Sequence, residues 1–447
     1  MTPARAPLKP LDIALTELLA QVSTLAGVDE VSTFDADGRV LAQNTLSSLH
    51  VPPQDNSAMD GYVMRCADVG AVGTVLSVSQ RIPAGSVGTA LQAGTVARIF
   101  TGASIPEGAD AVVMQEECEV LAEVDGRSQI RVNAVPKSGQ WIRRAGEDVA
   151  LGAVVLQQGE RLTPASLGLA ASIGLATLPV VRRPKVALFS TGDELVMPGD
   201  IAPQNMPAGS IYNSNRFFLR TLLQRLGCEV TDMGIVPDNL DATKAALSRA
   251  AQGHDLILTS GGVSVGEEDH IKPAVQALGE LNLWQIAIKP GKPFAYGKIH
   301  KTVRPEPAEG SVEASTLRQA QNRPSSARTG DACHFIGLPG NPVSSFVTFL
   351  LLVRPFLLKL QGVQDVDQIA TKSIAVRADF SLSKTDKRRE FLRVKRNAAG
   401  GLDLFPNQSS GVLTSAVWGD GLVNNPPGQT IALGDMVQFV SFADLLS

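Results

Sequence analysis

The spacing of apolar and polar positions changes several times along this chain of 447 residues. Residues 11–25 carry apolar side chains at helical spacing, which predicts an amphipathic first helix. In residues 75–135 the apolar runs are short and are broken by Gly and Pro, a pattern typical of a small β barrel or sandwich. Short β-type runs return from about residue 373 and predict a second small β domain.

Between these β-type regions, strand-like and helix-like runs alternate. The predicted strands cover residues 185–190, 229–236, 255–259 and 282–288, and the predicted helices cover residues 164–173, 215–226, 240–251, 269–278 and 342–360. Alternation at these lengths predicts a parallel sheet that is covered by helices on both faces.

Five segments rich in Gly, Pro and acidic residues each follow a run that is typical of a buried strand. They are residues 190–194, 237–239, 259–269, 289–293 and 337–342. In an open α/β sheet, ligands bind beyond the carboxyl ends of the strands. We therefore expect the five segments to meet over one crevice, which is the predicted active site.

Composition and charge narrow the class of protein. The hydrophobic fraction is 44% and the charged fraction is 19%, as in ordinary globular proteins, and the length predicts several domains. The formal net charge of -4 gives no argument for nucleic acid, so an anionic ligand must be held by local donors. The four cysteines lie far apart, which predicts buried free thiols in a reducing cytoplasm rather than a zinc or redox site.

Two further features concern location and loops. No targeting segment is visible, and the apolar run at residues 346–353 is shorter than the ~20 residues of a membrane span, so a buried helix is predicted there. Residues 301–331 are rich in Pro, Glu, Ser, Arg and Gln, which predicts an exposed, mobile insertion. Because both flanks are typical of strands, the insertion is expected to replace a hairpin turn.

The strand-end segments carry groups that suit an anion. A Gly-rich backbone before a helix, as in residues 259–266 and 340–342, presents N–H groups without Cβ interference, although such Gly pairs more often serve tight turns. Lys289 and Lys292 flank a stiff Pro-Gly pair that would aim two ammonium groups, unless both are ordinary surface lysines.

Acidic side chains on three of these segments predict a magnesium site. They are Asp193, Glu194, Asp238, Glu267, Glu268 and Asp269. Carboxylates beside a phosphate-binding backbone commonly recruit Mg²⁺, although each acid alone could instead cap a helix. Residues 52–62 and 100–110 are dense in turn formers and polar groups, and we expect them to complete a site from outside the α/β region.

Six stretches together resemble the molybdopterin molybdenumtransferase family, which includes the E domain of gephyrin. They are residues 56–62, 101–110, 189–195, 260–267, 289–293 and 337–344, and they run in family order across nearly the whole chain. The resemblance implies insertion of molybdate into adenylylated molybdopterin, with Mg²⁺ assisting at the phosphates and AMP released.

The resemblance also implies the architecture, which is multidomain α/β plus β. An elongated N-terminal domain would hold residues 1–50 and 140–180, with a small inserted β domain at residues 51–139. A central three-layer parallel α/β domain would cover residues 181–365, and a C-terminal β-barrel domain residues 370–447. The family pattern further implies a homodimer with sites across its interface, contact with a molybdopterin adenylyltransferase, and no nucleic acid or membrane partner.

Carried over by position, the resemblance assigns site residues. Glu194, Asp238 and Asp269 are the implied catalytic acids and Mg²⁺ ligands, with Asp60 and Thr101 contributed from the partner subunit. Pro339 and Pro342 would shape the loop beside the pterin. Lys289, Lys292 and Ser344 are predicted anion contacts because their donors fit a phosphate or molybdate oxygen, and not because the resemblance assigns them. The remaining predicted binding residues are Thr191, Gly192, Asp193, Ser260, Gly261, Gly262, Ser264, Gly266 and Gly340.

Two alternative functions stay open at this point. Related adenylyltransferases use the same α/β region, although they lack the long N-terminal region and the C-terminal β domain. A non-catalytic scaffold for other cofactor-synthesis enzymes is the second alternative, since the family resemblance includes gephyrin.

Overall fold

A computed structural model describes residues 8–124, 126–263, 270–301, 332–366 and 372–446. The chain forms two compact units. Unit 1 consists of Met1–Asp29, Gly38–Val40 and Val181–Ser447, and unit 2 consists of Glu30–Asp37 and Leu41–Val180. Ser264, Gly266 and Asp269, which belong to the predicted site, lie outside the described residues.

Helices occur mainly in unit 1. They are α1 (Leu11–Leu19), α2 (Pro164–Ser172), α3 (Ser214–Arg225), α4 (Leu240–Gly253), α5 (Ile271–Leu278), α6 (Pro342–Thr348), α7 (Arg354–Leu360), α8 (Thr414–Trp418) and α9 (Phe442–Leu446). A π-helical turn, Phe349–Val353, joins α6 to α7. Short 3₁₀ turns are Thr33–Asp35, Cys66–Asp68, Gln115–Glu117 and Pro203–Asn205.

The strands up to residue 181 are β1 (Val28–Ser32), β2 (Thr45–Leu46), β3 (Asn56–Ser57), β4 (Gly61–Met64), β5 (Thr74–Ile82), β6 (Thr95–Ile99), β7 (Ala111–Met114), β8 (Cys118–Val124), β9 (Arg127–Val132), β10 (Ile142–Arg143), β11 (Val154–Leu156) and β12 (Thr177–Val181). A six-stranded sheet in the order β7-β4-β6-β5-β9-β8 forms the main part of unit 2. Neighbouring residues of β4 point into different clusters, Tyr62 and Met64 into one and Val63 into another, so apolar side chains cover both faces.

The remaining strands are β13 (Lys185–Thr191), β14 (Leu195–Val196), β15 (Ile211–Tyr212), β16 (Glu229–Val236), β17 (Leu256–Ser260), β18 (Gly279–Gln285), β19 (Ile288–Lys289), β20 (Pro293–His300), β21 (Ala332–Leu338), β22 (Ile374–Arg377), β23 (Arg389–Arg396), β24 (Leu402–Leu404), β25 (Gly421–Asn425) and β26 (Met436–Ser441). The central sheet of unit 1 has the order β16-β13-β17-β21-β20-β18.

Strand direction in the central sheet differs in one place from the sequence prediction. β16, β13, β17 and β21 are parallel, whereas β20 is antiparallel to both β21 and β18. The sheet is therefore mixed and not wholly parallel. Because two reversals cancel, β18 runs in the same direction as the four parallel strands, so its carboxyl end lies at the same edge as theirs.

Apolar side chains of the central sheet pack on both faces. In β13, Val186 and Leu188 join a core with residues of α1, α3 and α7, whereas Ala187 and Phe189 join a second core with residues of α4 and α5. Alternation along a strand sends neighbouring side chains to opposite faces. The predicted covering of both faces is therefore confirmed.

The hairpin predicted around the insertion is present. β20 and β21 pair antiparallel, and His300 lies opposite Ala332 at the end of the ladder. The insertion itself, predicted as exposed and mobile, falls almost entirely outside the described residues.

Of two predicted helices, the first is shorter than expected and the second is a buried core helix as expected. The first helix ends at Leu19 rather than at residue 25, because the chain continues as turns and irregular structure. The helical segment Pro342–Leu360 is long and apolar enough to cross a membrane, but its side chains are almost entirely buried in unit 1. It is a core helix of the fold, as predicted for residues 346–353.

The C-terminal strands form a sheet that continues the core of unit 1. Its order is β19-β23-β25-β26-β22, with β24 added on β23. Phe391, Leu422 and Val440 pack into the same core as the central sheet and its helices, whereas Leu392 and Val423 face a separate cluster. The strand β19, which comes from the central region, is the main-chain connection between the two sheets.

The cysteines are free, as predicted, but only two are fully buried. Cys228 and Cys333 are buried, whereas Cys66 and Cys118 are half-buried. Burial raises the pKa of Cys66 and Cys118 to about 11 and that of Cys228 and Cys333 to about 12. All four thiols are therefore protonated at neutral pH, which makes them poor nucleophiles.

His334 gives unit 1 a pH-dependent stability. Its Nδ1 lies 3.0 Å from the hydroxyl of Tyr296, and burial, with the charge of Lys298, lowers the pKa of His334 from 6.5 to about 4. Below pH 6.5 the unfolded chain binds a proton that the folded chain does not. Stability is therefore lost as the pH falls from about 6.5 to 4.

We predict that His334 accounts for a loss of about 2 kcal/mol in unfolding free energy between pH 7 and pH 5. Denaturant titrations at both pH values measure this. His334→Gln should show a smaller pH dependence, and the control His300→Gln, at an exposed position, should behave as the original protein does. An unchanged pH dependence in His334→Gln would contradict the assignment.

Candidate active site

The backbones of three strand-end segments touch at the carboxyl edge of the central sheet. Gly261 has a φ of +96°, and a Cβ there would lie 2.9 Å from the carbonyl oxygen of Thr191. The N–H of Gly261 donates to Leu338 O at 3.1 Å, and a Cβ on Gly340 would lie 3.9 Å from Gly261 Cα. Only glycine allows this approach at position 261.

Gly192 and Gly262 extend the same contact. Both are glycines with positive φ, +138° at Gly192 and +67° at Gly262, and a Cβ on Gly262 would lie 2.5 Å from Ile271 Cγ1. The carboxylate of Glu194 lies against Gly192. The predicted residues Thr191, Gly192, Gly261, Gly262 and Gly340 are thus brought together.

Asn215 joins two of these segments, although the sequence analysis did not select it. Its Nδ2 donates to Ser260 Oγ at 2.8 Å and to Gly340 O at 2.7 Å, and the side chain is buried. Nothing in the sequence marks Asn215 as part of a site. It is the second residue of α3, and a polar residue exposed to solvent is common in the first turn of a helix.

Buried polar atoms without a hydrogen-bond partner surround this edge. Among the described residues they include Ser190 Oγ, Asn213 Nδ2, Asn215 Oδ1, Thr259 Oγ1, Ser345 Oγ and Thr348 Oγ1. Burial of a polar group without a partner is costly and rare in folded proteins. Ser190 and Thr259 lie near the ends of β13 and β17, and the other four lie at the start of α3 or in α6, so the interior beneath this edge is polar.

The segment that carries Lys289 is held by the C-terminal sheet. β19 pairs in parallel with β23, which places Lys289 opposite Glu390. Lys289 Nζ lies 2.9 Å from Glu390 Oε1 and 3.5 Å from Asp386 Oδ2, and Glu390 is buried. The ammonium group of Lys289 is therefore held in one position by two ion pairs with the C-terminal region.

The same segment packs against the start of the core helix. Gly291 has a φ of +111°, and a Cβ there would collide with Thr348 Oγ1 and lie 3.5 Å from Ser344 O. Lys292 is half-buried and has no ion pair among the described residues, and its carbonyl accepts from Ile286 N at 2.7 Å. Ser344 is buried in α6, so it lies at the contact between these two segments.

Pro339 and Pro342 frame the last strand-end segment. Pro339 is buried directly after β21, and Pro342 is the first residue of α6, where a missing N–H costs nothing. The N–H of Val343 donates to Ser410 O of the C-terminal region at 2.9 Å. The segment is therefore fixed from both sides.

Two residues of the C-terminal sheet escaped the sequence analysis. Glu390 Oε2 is buried without a partner among the described residues. Arg393 is 1% exposed and donates to Ser415 Oγ, Phe391 O and Ser409 O. Burial lowers the pKa of Arg393 to about 10. The sequence feature that could have pointed to Glu390 and Arg393 is the presence of charged residues within an apolar strand, Arg389–Arg396.

The acidic residues lie at the ends of two neighbouring strands. The Oδ1 of Asp193, after β13, accepts from the N–H of Asp238, after β16, at 3.3 Å. Asp193 and Glu194 are exposed and Asp238 is half-buried. Carboxylate oxygens are the ligands that Mg²⁺ prefers, so the donor chemistry fits. The described residues contain no group of three such side chains close enough to hold a metal ion by themselves.

Asp60 and Thr101 lie in unit 2 and are paired there. Thr101 donates to Asp60 Oδ1 from both its backbone N–H and its hydroxyl, each at 2.8 Å. These hydrogen bonds, with a smaller effect of Arg98, lower the pKa of Asp60, so its carboxylate is charged at neutral pH. The two predicted segments of unit 2 therefore meet.

Three family models match consecutive parts of the chain. Residues 9–174 match the "MoeA N-terminal region (domain I and II)", residues 187–359 match the "Probable molybdopterin binding domain", and residues 375–442 match the "MoeA C-terminal region (domain IV)". Together they cover both units and the C-terminal sheet.

Individual relatives agree with these matches. The chain is 42% identical over 353 residues to "Molybdopterin molybdenumtransferase" of Haemophilus influenzae, covering 79% of this chain and 78% of the relative. It is 33% identical over 438 residues to the protein of that name from Synechococcus elongatus, covering 95% and 97%. A crystal structure of "molybdopterin biosynthesis moeA protein" from Pyrococcus horikoshii OT3 superposes with a TM-score of 0.79 at 26% identity, covering 98% and 100%.

These matches extend over the residues of both units, including the strand-end segments of the central sheet. The chain belongs to the molybdopterin molybdenumtransferase family.

Proposed function

We propose that this protein inserts molybdate into the dithiolene of adenylylated molybdopterin and releases AMP. The observation that carries the proposal is the close backbone approach of Thr191, Gly261 and Gly340 at an edge that has carboxylates at one end and Lys289 at the other. A phosphorylated ligand suits such an edge, because glycine backbone and an ammonium group both bind anions. Membership of the transferase family favours this reaction over adenylyl transfer, since the relatives are named for molybdenum transfer.

Positioning is the main contribution of the chain to this reaction. The glycine contacts at Gly261 and Gly340 let a phosphorylated ligand approach the backbone closely. Lys289, Lys292 and Ser344 would hold oxygens of molybdate and of the phosphate near each other. Pro339 and Pro342 would fix the loop beside the pterin.

Mg²⁺ would be held by Glu194, Asp238 and Asp269, with Asp193 beside them. When bound, it would neutralise charge on the phosphoanhydride. The hydrogen bond from the backbone N–H of Asp238 to the Asp193 carboxylate holds the two segments next to each other, which supports a shared site.

The finer architecture is part of the proposal. We infer an elongated N-terminal domain at residues 1–50 and 140–180, an inserted β domain at 51–139, a three-layer α/β domain at 181–365 and a C-terminal β-barrel domain at 370–447. In a homodimer, Asp60 and Thr101 of one subunit would complete the site of the other, and their pre-formed pair suits that use. Contact with a molybdopterin adenylyltransferase and a cytoplasmic location complete the proposal.

We predict that purified protein releases AMP from adenylylated molybdopterin in the presence of molybdate and Mg²⁺, and that Glu194→Gln lowers this rate about 100-fold. Chromatographic measurement of AMP tests both. Glu229→Gln is the matched control, because Glu229 is an exposed acid at the other end of the same sheet. Absence of AMP release by the original protein would contradict the reaction, and full activity of Glu194→Gln would contradict the role of that acid.

A mixture of two inactive variants tests the exchange of residues between subunits. Asp60→Asn and Glu194→Gln, co-expressed in equal amounts, should regain about a quarter of full activity, because half the dimers are mixed and each has one intact site. Each variant alone should stay inactive. If the mixture is also inactive although mixed dimers form, Asp60 acts within its own subunit, and full activity of Asp60→Asn alone would show that Asp60 has no role.

The ion pair of Lys289 predicts a role for Glu390. Glu390→Gln keeps the shape of the side chain but removes the charge that anchors the ammonium group, so we expect the rate of AMP release to fall about tenfold. In a Lys289→Ala background the same change should have little further effect.

The control for this cycle is Asp379→Asn, which removes a half-buried carboxylate that pairs with Arg377 in the same C-terminal region. It should leave the rate unchanged in both backgrounds. An equal loss from Glu390→Gln with and without Lys289 would show that Glu390 acts independently of that lysine.

A further inference from the structure

Two arginines lie opposite each other on neighbouring strands of unit 2. β5 and β6 pair in parallel, and their register places Arg81 opposite Arg98. Adjacent strands are about 4.8 Å apart, so like charges at such positions repel each other and destabilise the sheet.

Both guanidinium groups lie close to the ring of Phe100. The Cζ of Arg81 is 4.5 Å and the Cζ of Arg98 is 4.7 Å from the centroid of its ring. Attraction to an aromatic face offsets part of the repulsion, but a neutral ring does not cancel two positive charges. The ring therefore holds the two cations in place without neutralising them.

The hydrogen bonds of these arginines go to neutral acceptors, and the Asp60 carboxylate, whose pKa Arg98 helps to lower, already accepts two hydrogen bonds from Thr101. Arg98 donates to Gly61 O at 2.9 Å and to the Gln115 side chain, which are both neutral acceptors. Arg81 is exposed and makes no side-chain hydrogen bond to a described residue. Within the described part of the chain, neither arginine has a carboxylate within ion-pair distance.

We propose that Arg81 and Arg98, held by Phe100, form a binding site for a doubly charged tetrahedral oxyanion. An anion of this kind would remove the repulsion between the two guanidinium groups and accept hydrogen bonds from both. Arg98 is the fixed member, since its contacts anchor it to β4, and Arg81 is the adaptable one. The site rests on unit 2 alone and does not depend on the proposed reaction or on a dimer.

Molybdate and a phosphate group share this chemistry, so both are used as probes. The full-length Lys289→Ala protein serves as the background, which removes a contact of the other predicted anion site. Calorimetric titrations with molybdate, inorganic phosphate and AMP, against chloride at equal ionic strength, give the dissociation constants. Arg131→Gln is the matched control, because Arg131 is an exposed arginine on β9 that pairs with Glu119.

Arg81→Gln should weaken oxyanion binding at least about fivefold, whereas Arg131→Gln should not change it. If Arg81→Gln weakens the binding of molybdate alone, the ligand is molybdate. If it weakens the binding of both inorganic phosphate and AMP but not of molybdate, the ligand is a phosphate group. Without any oxyanion, the unfolding temperature of Arg81→Gln should equal or exceed that of the background, because the repulsion is gone. Phe100→Leu should also weaken binding, since the ring holds both cations.

Unchanged dissociation constants for all three probes in Arg81→Gln would overturn the proposal. So would a lower unfolding temperature of Arg81→Gln with unaltered binding, because Arg81 would then only support the sheet.

Discussion

The common direction of five strands is the constraint on which the candidate site depends. β13, β16, β17, β21 and β18 all end at one edge of the central sheet, and β20 alone runs the other way. The segments that follow these five strands are consequently neighbours, although they are far apart in sequence. The segments after β13 and β16 bring carboxylates to this edge, and the segment after β18 brings two lysines.

Close backbone approach and electrostatic anchoring then shape that edge. Glycine at position 261 permits contact with Thr191, and the amide of Asn215 joins Ser260 to Gly340. At the other end, a buried carboxylate from the C-terminal sheet holds Lys289. A lysine that is already positioned loses less conformational entropy when it meets an anion, which is the physical advantage of such an arrangement.

Much of the central region follows from local sequence patterns, whereas contacts between distant segments do not. The strand Glu229–Val236 has the predicted bounds, because its apolar pattern and the turn residues that follow it mark its ends. The predicted strand at residues 282–288 instead divides into β18 and β19. The last two residues before Pro290 pair with β23 of the C-terminal sheet rather than with the central sheet. The strands β4, β8, β24 and β25 were not predicted, since short or polar strands depend on their neighbours for stability.

The sequence analysis missed Glu390 and Asn215 for the same reason, which is that their partners are far away in the sequence. Glu390 is 101 positions from Lys289, and Asn215 is 125 positions from Gly340. Periodicity reports which face a side chain occupies, but it carries no information about the partner on that face. The glycine and acidic segments were found because their composition is unusual in itself, and the family resemblance gave their roles.

A crystal structure with adenylylated molybdopterin and molybdate is the most direct measurement. We expect the phosphate to lie against Thr191, Gly261 and Gly340, with a molybdate or phosphate oxygen in contact with Lys289. A ligand that binds only elsewhere on the protein, with the carboxyl edge of the central sheet unaltered, would contradict the assignment of this edge as the active site.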